Sequence, residues 1–121
     1  MTVLKVLYEG WAMECCGTPF VVGEEVVWNA GPDDAVGEGM WRVATHAGGP
    51  VGARTVLGRV RSIQVVADAF VMRASGYECV PEKRSLREVE ACPKWFARLG
   101  EEDGVRRDET GVLVELETTG D

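Results

Sequence analysis

The amino-acid sequence predicts an all-β (mainly β) protein, a small barrel of the SH3-like or OB-like kind with one short helical segment. Three observations carry the prediction. Apolar and polar residues alternate with period two over several short runs, the pattern of half-buried strands. Fifteen Gly and five Pro punctuate those runs, supplying the backbone angles that turns require. Helical signals are confined to residues 85–99. The 121 residues read as one domain, 1–121. At that length a chain buries roughly two thirds of its unfolded surface and needs no metal or disulfide to fold.

Thr2–Glu9 sets Leu4, Val6 and Tyr8 against Val3, Lys5 and Leu7, a first strand apolar on both sides. Gly10 permits a bend, after which Trp11 and Met13 are expected on one strand face and Ala12 and Glu14 on the other. Gly17 and Pro19 make the next corner, with Cys15 and Cys16 at it. Phe20–Val22 and the Gly23-Glu24-Glu25 turn then lead into a strand over Val26–Asn29. Gly31–Gly39 is a turn-rich, acidic surface loop. Met40–His46 alternates Trp41, Val43 and Thr45 against Arg42, Ala44 and His46, a half-buried strand followed by a Gly-rich loop over residues 47–52.

Val56–Val66 carries the best strand signal in the chain. Val56, Gly58 and Val60 share one face, whereas Ile63 and Val65 have the opposite parity. A one-residue bulge near Ser62, or a sharp bend, reconciles them, and Gly58 suits a barrel corner. Phe70–Met72 and Tyr77–Val80 are short strands on either side of Ser75-Gly76. Ser85-Leu86-Arg87-Glu88 fits a helix-starting capping box. Pro93 interrupts it, and a second helical turn burying Trp95, Phe96 and Leu99 is expected to stop at Gly100. Glu101–Thr110 reads as a charged loop and Val112–Glu117 as the closing strand.

The net charge is −7, and it is uneven. Residues 1–53 carry −5, residues 54–98 carry +4 and residues 99–121 carry −6. An acidic whole argues against nucleic acid as a partner, since that needs many Lys/Arg near phosphates. The basic middle reads more simply as a strand face paired with the acidic tail. No apolar run approaches the ~20 residues of a membrane span, and Lys5 and Glu9 break the N-terminal run that a secretion signal would need. A cytoplasmic protein with reduced thiols is expected.

Four features invite chemistry. Cys15 and Cys16 are adjacent, and on an extended chain would point to opposite faces. Bridging neighbours stores strain, so a disulfide between them would be redox-labile. With His46, Cys79 and Cys92 one of them offers zinc ligand types, although the separations match no zinc pattern. Met13 adds a soft donor that suits copper(I). The plainer reading places one thiol in the core as a small hydrophobe and the other at a turn. No cofactor is expected; zinc or copper is the ion these residues would take. His46, the single His, would serve as base to a thiol nucleophile or simply end a strand. Trp11, Trp28, Trp41 and Trp95 would line a groove for a peptide or protein, a base or a small ligand, or else pack as core and rim. Arg54, Arg59 and Arg61 would read phosphate or a partner's acids, and Arg59 and Arg61 share a strand face. Gly48-Gly49-Pro50-Val51-Gly52 lacks the Lys-Ser/Thr of a phosphate loop.

The stretch Trp11, Met13, Cys15, Cys16, Gly17, Pro19, Phe20, Val22, Gly23, Val26, Trp28 resembles a family of small, uncharacterised, mainly actinobacterial proteins with the motif Trp-x-Met-x-Cys-Cys-Gly-x-Pro-Phe-x-Val-Gly-x-x-Val-x-Trp. His46-Ala47-Gly48-Gly49 and Gly58-Arg59-Val60-Arg61-Ser62-Ile63 extend the resemblance over about residues 3–66. Related chains carry paired His where Thr45-His46 stands, which weakens a metal site built on two His. The resemblance implies a domain of unknown function and brings no activity with it. Two readings follow from the residues: a small cytoplasmic β-barrel acting as a non-catalytic binding module, or a thiol or metal protein built on Cys15, Cys16 and His46.

Overall fold

The computed structural model describes residues 2–45 and 49–119. Among these the chain forms β1 (Thr2–Glu9), α1 (Gly10–Cys16), β2 (Glu25–Pro32), β3 (Trp41–Val43), β4 (Arg54–Arg73), β5 (Gly76–Cys79), a 3-10 turn (Pro81–Lys83), β6 (Ser85–Val89), β7 (Arg98–Glu102) and β8 (Val105–Thr118). This is a mainly β chain with one mixed sheet and one short α-helix, as the sequence predicts. Long β4 is its spine. One edge of β4 pairs antiparallel with β8 from Gly58/Thr118 to Val71/Val105. Its other edge takes β2, then β6, then β5.

The sheet has two parts. β2 also pairs with β3, β3 pairs parallel with β1, and β1 pairs with β8. With the β8–β4 and β4–β2 ladders, these pairings run in a circuit. The far ends of β4 and β8 continue beyond it as an arm of order β5-β4-β8-β7. Within the circuit lies a Val-rich core that includes Val6, Val26, Val43, Val56, Val60, Ile63, Val65, Val112, Val114 and Leu116. These positions alternate along each strand because successive side chains point to opposite faces.

The parity break in β4 is a bulge. Val60 pairs with Leu116 and Ser62 with Glu115, which leaves Arg61 as the extra residue. Val60 and Ile63 therefore both face inward, each 0% exposed. A second bulge separates Val66/Gly111 from Ala67/Glu109 and marks where circuit becomes arm. There the buried Asp68 carboxylate accepts hydrogen bonds from Arg84 (Nε, 2.7 Å; Nη2, 3.3 Å) and from the Thr110 hydroxyl (2.8 Å). This node ties β4, β8 and the start of β6 together.

Several expectations need correction. Trp11–Glu14 is not a strand: Ala12 and Met13 are neighbours and both are buried, which a two-residue alternation cannot achieve and a helical turn can. The thiols thus sit at the end of α1 rather than in a turn between strands. The capping-box segment is strand β6, paired from Ala67/Ser85 to Ile63/Val89. The edge of β4 offered it hydrogen bonds for a whole strand, and tertiary pairing outweighs a local cap. Pro93–Leu99 forms no helix; Trp95 is exposed and Arg98 begins β7. Glu101–Thr110 is not a loop but most of a hairpin, turned at Asp103 (φ 54°) and Gly104 (φ 76°). Asp-Gly with both residues at positive φ matches the twist of paired strands. β3 ends at Val43, short of the expected Met40–His46, and His46 lies outside the described residues.

Two substitutions test this framework. A Cβ at Gly58 would lie 2.6 Å from Leu116 Cγ and 2.9 Å from the Glu117 carbonyl oxygen. Gly58→Ala is expected to cost about 1–3 kcal/mol by overpacking, seen as a lowered urea midpoint with unchanged slope. Asp68→Ala strands Arg84, which keeps partial access to water, and is expected to cost about 2–3 kcal/mol. Thr110→Val, which leaves the ion pair intact, should cost about 1 kcal/mol.

Candidate functional site at the helix corner

The residues richest in chemistry gather where α1 meets the segment after β6. Gly10, Ala12 and Met13 turn inward; Trp11, Cys15 and Cys16 turn outward and are exposed. The Gly17 N–H closes the helix on the Ala12 and Met13 carbonyls (3.2 and 3.0 Å). Residues 92–97 then strap the helix in place. Lys94 Nζ donates to the Met13 and Gly17 carbonyls (2.7 and 3.0 Å), a cation against the helix end where carbonyl groups lack partners. The Phe96 N–H donates to Glu14 Oε2 at 2.8 Å, and the Cys92 N–H donates to the Phe20 carbonyl. Beneath the helix Tyr8, Phe20 and Trp28 pack edge to face, with Trp28 4.9 Å from Phe20 and 5.5 Å from Tyr8 between centroids.

The Cys15 and Cys16 sulfurs lie 2.7 Å apart. The Cys15 sulfur beside it, and then loss of solvent, raise the Cys16 thiol above its ordinary pKa, with Lys94 acting weakly the other way. This direction opposes nucleophile activation, which needs a lowered pKa. Cys92 is 4% exposed, and burial pushes its thiol up to about 12. Cys79, on β5, is raised by burial and then by the nearby Asp68 carboxylate. Among the described residues no group of three or more His, Cys, Asp or Glu could hold a metal ion. Cys15 and Cys16 are therefore a two-donor set there, and His46, the third expected ligand, lies outside those residues.

The structure distributes the expected groove residues. Trp11 is 49% exposed on α1 and lines two clefts, one of about 270 Å³ with Phe70, Phe96, Asp108 and Thr110, the other of about 220 Å³ with Tyr8, Cys16 and Thr45. Trp28 belongs to the aromatic cluster under the helix. Trp41 packs on the core from β3, with the Arg54 guanidinium 5.3 Å above its ring. Arg59 donates to the Gly23 carbonyl at 2.6 Å and faces Glu25 at 3.8 Å; Arg61 pairs with Glu117 at 3.4 Å. Neither Arg nor the other two Trp lines the clefts beside Trp11. Sequence reasoning did not single out Lys94 and Glu14, whose contacts span about eighty residues; Trp95, which it placed both in a buried helical turn and among the groove residues, is 68% exposed. It also missed a cleft of about 380 Å³ between Lys5, Met40, Leu86, Glu88, Leu113 and Glu115.

The Cys92 thiol gives a pH test. Its folded pKa is raised, so the stability it contributes is complete below the unfolded thiol pKa of about 8.5 and is lost as pH rises toward about 12. The unfolding midpoint is expected to fall progressively above about pH 8.5. Cys92→Ala should flatten part of that decline while leaving the slope below pH 8 unchanged. No helix among the described residues is long and apolar enough to cross a membrane. No curated protein and no solved structure matches the chain. One family model does match, over residues 2–118, and the chain belongs to that family, a family of unknown function designated DUF6578.

Proposed function

We propose that this protein is a non-catalytic binding module, built on a small barrel, that receives a protein partner at the corner formed by α1 and residues 92–98. The observation that supports this is the exposure of two large aromatic side chains there, Trp11 at 49% and Trp95 at 68%, on backbone held by Lys94 and Glu14. Rigid, exposed Trp is the residue type that dominates the energetics of protein interfaces. The clefts beside Trp11, about 270 and 220 Å³, are smaller than the roughly 300–1,000 Å³ that enclose a drug-sized ligand. They suit inserted side chains of a protein surface. Acids already pair with Arg59 and Arg61, and the whole chain is acidic, so the reading leaves nucleic acid aside. It also places no catalysis at the site, because the exposed thiol with a shifted pKa is raised rather than activated. A cytoplasmic setting goes with it.

The test uses a photo-crosslinking amino acid at position 11 or 95 of the full chain, expressed in the source cell. A discrete adduct is expected from both positions and none from position 57 on the outer side of β4. Adducts at every position, or at neither corner position, overturn the reading. Trp11→Ala and Trp95→Ala should each cost about 1 kcal/mol or less in stability and abolish the adduct formed from the other position.

A further inference from the structure

We propose that Cys15 and Cys16 form a two-electron redox site, a dithiol that a hydroperoxide converts reversibly into a disulfide between neighbouring residues. The geometry is the first support. Consecutive side chains on a helix diverge by about 100°, yet these two sulfurs have turned toward each other to 2.7 Å. That lies closer to the ~2.0 Å of a disulfide than two sulfurs chelating one ion can come. Two Zn–S bonds of about 2.3 Å at a tetrahedral angle hold their sulfurs about 3.8 Å apart. The pair is therefore arranged for bonding to itself.

Position is the second support. Both thiols are exposed, as reaction with a small oxidant requires. They stand in the last turn of α1, and Gly17 beyond them is already extended (φ −78°, ψ 156°). The peptide between them can leave helical geometry there without interrupting a longer helix. The other two thiols lack this arrangement: Cys92 is buried, and Cys79 stands on β5, where the neighbours that set its ionisation are Asp68, Arg84 and Glu82.

In the reaction one of the two thiols, for instance Cys15, loses its proton and its thiolate attacks hydrogen peroxide; the S–O bond forms, the O–O bond breaks, and the expelled hydroxide takes up the proton Cys15 shed to become the first water. The Cys16 sulfur then attacks the Cys15 sulfur; the S–S bond forms, the S–O bond breaks, and the departing hydroxide takes the Cys16 proton as a second water. Two thiols lose two electrons and two protons, and the peroxide is reduced to two waters. Both sulfurs are exposed and face each other, so either can make the first attack while the other closes the ring. A ring closed on adjacent residues is strained, so dithiothreitol should reopen it readily. None of this depends on the binding reading above.

The experiment treats the reduced full-length protein with a few equivalents of hydrogen peroxide, titrates free thiols and weighs the peptides. Loss of two of the four thiols is expected, with the peptide holding Cys15 and Cys16 about 2 Da lighter and restored by dithiothreitol. Cys79→Ser should leave that product unchanged. Cys15→Ser and Cys16→Ser, both at exposed positions and checked by their unfolding midpoints, should each abolish it and accumulate an oxygenated cysteine instead. A wild-type chain that yields sulfinic acid at either residue, a disulfide between two chains, or a bond involving Cys79 overturns the proposal. So does survival of all four thiols.

Discussion

The β4–β8 ladder is the constraint on which the remaining structure depends. Twenty residues of β4, drawn out at about 3.3 Å each, would reach roughly 65 Å, whereas a domain of this length has a radius of gyration near 14 Å. A ribbon of that length has to bend to fit, and its two register shifts are bulges, which bend the strand that carries them. The bulge at Arg61 resets inward parity, so Val60 and Ile63 both reach one core. The bulge at Thr110 releases the ribbon from the circuit into the arm. Asp68 lies beside this second departure, and its bonds to Arg84 and Thr110 replace with side chains the fixity that the interrupted ladder gives up. Every strand after β4 in the chain is arranged along one of its two edges or along β8.

How much of this was legible depended on whether an element faces one environment or two. The strands over Val56–Val66 and Val112–Glu117 alternate because one side is core, and alternation is a strong local signal; β1 was legible as an apolar run, and the hairpin around Ser75-Gly76 by its turn residues. Even the bulge was readable, since a shift of parity inside an apolar run has few other causes. β6 and β7 were not readable because they are open to water on much of their surface, and the first part of β8 because its half-buried residues are mostly charged or polar. Ser85–Val89 and Arg98–Glu102 carry almost no buried side chain, so their sequences are free to look like a helix cap or a loop. Asp103-Gly104 was the exception: as a turn dipeptide it signals a hairpin, and the charged residues flanking it concealed the strands it joins.

The helix corner illustrates a different limit. Trp-Ala-Met-Glu-Cys-Cys is too short to distinguish period two from period 3.6, because Trp11/Met13 against Ala12/Glu14 fits a strand as well as a turn of helix. What decides the matter is tertiary: the core accepts Ala12 and Met13 together, and Lys94 and Glu14 fasten the helix to residues 92–97. Trp28 shows the converse. Its residue type suggested a groove shared with Trp11 and Trp41, but it packs against Tyr8 and Phe20, and of those three only Trp11 is exposed. The paired sulfurs alone could be located from sequence, and their facing geometry could not.

Charge placement explains why this corner, and not the basic middle of the chain, is the surface with unspent interactions. Arg59, Arg61 and Arg87 lie across the sheet from Glu25, Glu117 and Glu109, so most of the excess positive charge of residues 54–98 is met by acids from the two flanking regions. Exposed pairs of this kind contribute about 1 kcal/mol or less each, too little to be the reason for the fold. Their larger effect is on the field: a phosphate approaching β4 meets neutralised Arg side chains and a net negative molecule. At α1 and residues 92–97, by contrast, two Trp rings and two thiols expose surface to water, with the Lys94 ammonium 5.7 Å from the Trp95 ring. Any partner that covers them gains that burial without first breaking an ion pair, which is the physical difference between the two faces.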